Sequence, residues 1–177
     1  ATLDALLDVH GLSGLAEEPF EHTGFSGATL TRIRRADGES FILKRMSIAR
    51  DWIMRATDDV ACREAVFASI QDSLPDGLTT PSLGTAVDGD THAILMRDIS
   101  ALLLPAGPVT HPRLEPIIDR IAKLHRSPRP AAPIPWCTLE QRLSLLTPTT
   151  ARIASSYGAP VSRDIIDGWE VFDRLAT

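Results

Sequence analysis

The sequence predicts an α+β fold. A five-stranded, mostly antiparallel sheet carries one covering helix and gives way to an all-helical second part. Three observations predict it. Strand-like segments run in the order strand, strand, strand, helix, strand, strand, so one helical crossover separates them. Asp37-Gly38 and Asp88-Gly89-Asp90 mark tight connections between antiparallel neighbours. After Ser100 no segment alternates as a strand does, and helical periodicity takes over. The chain thus divides into residues 1–98 and residues 99–177.

The first part opens with Thr2-Leu3-Asp4-Ala5-Leu6-Leu7, a short helix that ends near Gly11. Residues 19–24 predict the first strand. Residues 28–35 predict the second, with Leu30 and Ala28 on one face and Ile33 on the other. Asp37-Gly38 predicts a two-residue hairpin into the third strand, residues 40–46. Residues 47–57 suit a helical turn or a loop equally. The next helix takes Thr57 or Asp58 as its cap and Val60, Val66, Phe67, Ile70 and Leu74 as its buried stripe. Glu64 falls at the edge of that stripe, and Pro75-Asp76-Gly77 ends the helix. Residues 82–87 and 92–96 are the last two strands.

In the second part Leu114, Ile117, Ile118, Ile121, Leu124 and His125 mark one face of a helix of about four turns. Residues 127–135 are too rich in proline for helix or strand. Thr138 with Gln141 forms a capping-box pattern ahead of Leu143 and Leu146. Pro148 and Gly158 bracket a further helix. Ser162 caps a last one bearing Ile165, Ile166, Trp169, Phe172 and Leu175, with Gly168 inside it.

Composition narrows the function. A net charge of -5 excludes a general polyanion-binding surface. The few aromatic residues form no basic-aromatic pattern, so nucleic acid is not an expected partner. Cys62 and Cys137 lack metal-ligand spacing and predict free thiols in a reducing compartment, the cytoplasm. The stretch from Leu3 to Leu15 holds acids and a histidine, unlike a secretory signal, and no apolar run suits a membrane span.

The third strand carries the chemistry. Ile42, Lys44 and Met46 share one face, so Lys44 lies between two apolar neighbours. An ammonium there is costly unless it snorkels or meets an anion. The glycine turn Gly24-Phe25-Ser26-Gly27 precedes it, and Glu64 follows on the next helix. A carboxylate reaching Lys44 would fix it as a point charge for phosphate oxygens, and the turn would offer backbone N–H groups to the outer phosphates. Singly, each group has a plain reading. The turn is a hairpin, Lys44 and Glu64 are solvated charges, Met96 is core, Asp98 begins a turn and His125 is a core histidine. Arg50, Arg55 and Arg63 reach substrate or phosphate, or simply face solvent.

Gly24-Phe25-Ser26-Gly27-Ala28, Phe41-Ile42-Leu43-Lys44, Arg63-Glu64-Ala65, Ile94-Leu95-Met96-Arg97-Asp98-Ile99 and Ile121-Ala122-Lys123-Leu124-His125 together resemble the aminoglycoside phosphotransferase family. That family shares the protein-kinase-like fold with choline and homoserine kinases. The resemblance covers residues from about 18 to 126. It implies a kinase-like N-lobe, a hinge and the start of a helical C-lobe. Lys44 would hold the α- and β-phosphates of ATP, Glu64 would pair with Lys44, and residues Gly24, Phe25, Ser26 and Gly27 would cover the phosphates. Ile42 would pack on the adenine with Met96 behind it, while Arg97, Asp98 and Ile99 would meet the adenine edge. His125 would buttress the catalytic loop.

The loop itself is missing. The family's His-Gly-Asp-like motif, its downstream asparagine and its metal-binding aspartate have no counterpart, and the sequence contains no asparagine. No catalytic residue and no metal ligand is therefore assigned, and both are expected beyond Thr177 in a longer parent chain. The absent initiator methionine also suggests a trimmed chain. The expected activity of the parent is magnesium-dependent transfer of the γ-phosphoryl group from ATP to a hydroxyl of an aminoglycoside-, choline- or sugar-like acceptor. This chain alone is expected to be inactive. The alternative is a non-catalytic, pseudokinase-like binding or scaffold module. A third reading is an unrelated α+β domain in which turn and lysine coincide.

Overall fold

The computed structural model describes residues 1–21, 26–71, 74, 79–103, 111–127, 135–143, 167, 168, 170, 171 and 174. Five strands form one sheet: β1 (Glu17–Pro19), β2 (Thr29–Arg34), β3 (Ser40–Ser47), β4 (Ser82–Asp88) and β5 (Thr91–Arg97). Their order is β1-β2-β3-β5-β4, and every neighbouring pair is antiparallel. The most apolar strands, β3 and β5, lie at the centre, where both faces are covered. The outer strand β1 has only three residues, two of them glutamates and the last a proline.

Each face of the sheet has its own core. On one, Ile33, Phe41, Leu43, Ala86, Ala93 and Leu95 pack with Leu12 and with Leu6 of α1 (Leu3–Val9). On the other, Ala28, Met46 and Ile94 pack with Met54 of α2 (Trp52–Ala56), with Cys62, and with Ala65 and Ala68 of α3 (Arg63–Ser69). Alternation along β3 divides the two: Phe41 and Leu43 face α1, while Lys44 and Met46 face α3. The expected single covering helix is thus three short ones, because both faces of the central strands are apolar.

Several boundaries differ from the sequence reading. The first strand is Glu17–Pro19, so it begins two residues earlier than expected and ends before Phe20, while residues 22–24 lie outside the described residues. The Glu17 carboxylate is held on the sheet by Arg45 at 2.7 Å and by the Thr31 hydroxyl at 2.7 Å. The β2–β3 connection has three residues, Ala36, Asp37 and Gly38, not two. Arg35 pairs with Glu39, the Gly38 N–H donates to the Arg35 carbonyl at 3.0 Å, and Gly38 takes φ 90. The β4–β5 connection is the expected tight hairpin, with Asp88 opposite Thr91.

Residues 47–57 form a turn followed by α2, capped by Asp51, whose carboxylate accepts from the N–H groups of Ile53 and Met54. The Arg55 guanidinium donates to the carbonyls of Ile48 and Ala49 and fixes that turn. The following helix begins at Arg63, not at Thr57 or Asp58. Asp58 and Cys62 both have positive φ, which no helix tolerates in its interior, and the Thr57 hydroxyl closes α2 by donating to Ile53. Val60 consequently lies outside the helix and is exposed.

In the second part a 3-10 turn, Ser100–Leu102, precedes α4 (His111–Arg126) and α5 (Leu139–Leu143). The predicted apolar stripe of α4 is present, but Leu114, Ile117, Ile118, Ile121 and Leu124 are exposed, as is His125. The capping box forms as predicted. The Thr138 N–H donates to Gln141 Oε1 at 2.9 Å, and the Gln141 N–H donates to Thr138 Oγ1 at 3.2 Å. Among the described residues no helix is long and apolar enough to cross a membrane. Gly24, Phe25, the Pro75-Asp76-Gly77 stop, the helix between Pro148 and Gly158, and the apolar residues Ile165, Ile166, Trp169, Phe172 and Leu175 lie outside the described residues.

Candidate functional site

Lys44 occupies the middle of β3, opposite Leu30 on one side and Ile94 on the other. These neighbours cover its methylene stem and leave the side chain 20% exposed. Glu64, in the first turn of α3, reaches over the sheet to meet it. Nζ donates to Oε1 at 2.6 Å and to Oε2 at 2.7 Å. An ammonium has three N–H bonds, so this two-pronged pairing leaves one to point elsewhere. Glu64 is 54% exposed, so the pair sits at a rim, not in a sealed core.

The start of α3 is what places Glu64. The Asp59 carboxylate accepts from the Arg63 N–H with both oxygens at 3.0 Å, which orients the first turn. Cys62 holds φ 52 immediately before it and packs its sulfur 3.9 Å from that of Met46. Burial pushes the Cys62 thiol up to about 11.

The glycine turn meets this region through its backbone. Gly27 has φ 101, and a Cβ there would overlap the Arg50 carbonyl. The Ser26 carbonyl accepts from the Trp52 N–H at 2.8 Å. Ser26 and Gly27 are therefore fastened to the segment that leads into α2. A cleft of about 470 Å³ opens beside them, lined by Ser26, Lys44, Glu64, Asp51, Cys137 and Arg142 among others.

The predicted site residues separate into two groups. Ser26, Lys44 and Glu64 line that cleft, with Gly27 at its margin. Ile42 and Met96 stand opposite each other on the Lys44 face, nearer the β5 end, and neither lines the cleft. Ile42 is buried and Met96 half-buried. The predicted hinge is bonded internally. The Arg97 N–H donates to the Pro81 carbonyl at 2.9 Å, and the Asp98 N–H donates to the Ser40 carbonyl at 3.0 Å. These two amides are thus spent before any ligand arrives. Ile99 begins the 3-10 turn.

The Asp98 side chain has a structural part that its sequence position did not reveal. It accepts from Arg32 Nε at 2.8 Å, from the Ser40 hydroxyl at 2.9 Å, and from the Ser100 N–H at 3.0 Å and hydroxyl. Burial alone would raise its pKa. The Ser100 and Ser40 hydrogen bonds and the Arg32 charge outweigh burial and hold the carboxyl at about 2. Arg32 in turn lies over the Phe20 ring, 4.6 Å from its centroid.

Arg63 was also illegible in the sequence, where it could equally face solvent. Its guanidinium joins three segments. Nε donates to the Pro135 carbonyl at 2.6 Å, Nη1 to Thr57 Oγ1 at 3.2 Å, and Nη2 to Gln141 Oε1 at 3.1 Å. Among the described residues no three His, Cys, Asp or Glu side chains are placed to hold a metal ion.

What the cleft offers chemically is a fixed cation with a free donor beside a carboxylate. That set suits the oxygens of a phosphate ester or polyphosphate. No protein-family model matches this chain, and no curated protein or solved structure shows significant similarity to it.

Proposed function

We propose that this chain carries the nucleotide-binding lobe of a cytoplasmic, ATP-dependent phosphotransferase of the aminoglycoside phosphotransferase type. Its acceptor is a hydroxyl on a small aminoglycoside-, choline- or sugar-like molecule. The observation that carries the reading is the two-pronged Lys44–Glu64 pair at the rim of the cleft. A five-stranded antiparallel sheet with the glutamate helix between β3 and β4 is compatible with a kinase-like N-lobe.

The residues present fit the phosphate end of ATP. The remaining N–H of Lys44 would meet an α- or β-phosphate oxygen, and Glu64 keeps the ammonium aimed. Ser26 would border the phosphates at the cleft wall. Met96, half-buried on the Lys44 face, would offer apolar surface for the base, whereas Ile42 is buried beneath that face and would act only through packing. Bound magnesium-ATP supplies the transferable γ-phosphoryl group. No magnesium ligand is assigned in this cleft.

A second reading is a non-catalytic binding module. The spent amides of Arg97 and Asp98 favour it, because they close two donors to an adenine edge. Calorimetric titration with magnesium-ATP separates the two. The phosphotransferase reading expects binding that weakens about tenfold or more in Lys44→Ala, a loss of ~1.4 kcal/mol or more. A chain that takes up no nucleotide is a binding module of another kind, and the first reading is then lost.

A further inference from the structure

Gln141 Oε1 has two donors. One is its own helix-cap partner, the Thr138 N–H at 2.9 Å, and the other is Arg63 Nη2 at 3.1 Å. The acceptor that starts α5 is therefore also the anchor for the residue next to Glu64. A second anchor lies close by, since Arg63 Nε donates to the Pro135 carbonyl at 2.6 Å. Planar and five-donored, a guanidinium can serve both acceptors and Thr57 together, which an ammonium cannot.

We propose that Arg63 is a positioning residue: it latches residues 135–143 onto the start of α3 and so holds Glu64 against Lys44. Sequence adjacency makes the coupling direct. Arg63 and Glu64 occupy the first turn of the same helix, so a rotation that frees the guanidinium also swings the carboxylate. Its side chain is mostly covered, at 19% exposure, whereas Glu64 is 54% exposed and bonded to Lys44. The latch also shapes the cleft. Cys137 and Arg142, which border it, belong to the latched segment. Release of that segment thus opens the cleft wall and slackens the lysine clamp in one movement. The inference rests on the phosphotransferase reading only for its effect on nucleotide affinity.

The chain has two lysines, Lys44 and Lys123, which makes reductive methylation read by mass spectrometry a direct assay without nucleotide. Lys123, exposed on α4, is the internal reference. Gln141→Leu removes the anchor at the far end of the latch. It should raise the Lys44-to-Lys123 methylation ratio about tenfold or more, the size expected for losing one charge-assisted hydrogen bond. Gln141→Glu keeps an acceptor and should stay near the wild-type ratio. Thr138→Ala weakens the helix cap but leaves the anchor, and should also stay near wild type. Arg63→Met should behave as Gln141→Leu.

A wild-type ratio in Gln141→Leu overturns the latch. So does an equal rise in Thr138→Ala, which would trace the effect to the cap alone. Magnesium-ATP affinity should fall in Gln141→Leu by about the same factor as the ratio rises. An unchanged affinity alongside a raised ratio overturns the positioning role. If the wild-type chain takes up no nucleotide, the phosphotransferase reading fails while the methylation ratios still settle the latch.

Discussion

Gly27 and Arg50 touch backbone to backbone: a Cβ on Gly27 would stand 3.0 Å from the Arg50 carbonyl carbon and overlap its oxygen. The glycine turn is held by this contact and by the Trp52–Ser26 hydrogen bond. Gly27→Ala meets both a wall of main chain and an unfavourable φ of 101. It should cost about 3 kcal/mol of stability in urea unfolding. A change below about 0.5 kcal/mol would show that the turn is free of that segment.

Leu43 and Lys44 are neighbours with opposite tasks. Leu43 is 0% exposed on the face that meets α1, and Leu43→Ala should cost about 3 kcal/mol through the cavity it leaves. Lys44→Met strips a partner from Glu64, which is already 54% exposed, and should cost less than about 1 kcal/mol. Nucleotide binding should show the reverse ranking, surviving Leu43→Ala under native conditions and collapsing in Lys44→Met. Paired denaturation and titration experiments check both halves.

The Asp98 tie predicts acid sensitivity. Its carboxyl is held at about 2, below the ordinary 3.8, so its contribution is complete above the unfolded value and is lost as pH falls through the folded one. That places the loss between about pH 4 and pH 2. Glu17, lowered chiefly by its hydrogen bond to Arg45, adds a loss of the same sign. Asp98→Asn should lower stability at pH 7 by about 2 kcal/mol and flatten the acid limb of a stability-against-pH curve. An unaltered acid limb would remove Asp98 as its source.

The two thiols should separate cleanly. Cys62 is 1% exposed with its ionisation pushed up to about 11, while Cys137 is half-buried at the cleft. Iodoacetamide at pH 8 should alkylate Cys137 at least about tenfold faster, read by peptide mass spectrometry. Because the folded value lies above the ordinary 9.0, Cys62 also stabilises the fold fully below that pH and loses its contribution as pH rises towards 11. Equal alkylation rates would mean that the Cys62 pocket opens readily.

Local signals in the sequence carried much of this architecture. The alternation of Ile42, Lys44 and Met46 put the lysine on the correct face, the Asp-Gly pairs located both hairpins, and Thr138 with Gln141 marked a helix start that forms as expected. What stayed hidden depends on contacts between distant residues. Positive φ at Asp58 and Cys62 delays α3 by several residues, and no periodicity announces it. Asp98 draws on Arg32 and Ser40 besides its neighbour Ser100, and Arg63 draws on Pro135 and Gln141, far away in the chain. A short polar residue at a turn and an arginine on a helix carry no mark of such partners.

The outer strand of the sheet has a consequence for crowded solutions. A foreign segment trying to extend the ladder beyond β1 would meet two glutamates and then Pro19 with no N–H to give. Growth of a fibre by lateral stacking has little foothold on this strand, so the protein is guarded at β1 against polymerising on its own sheet.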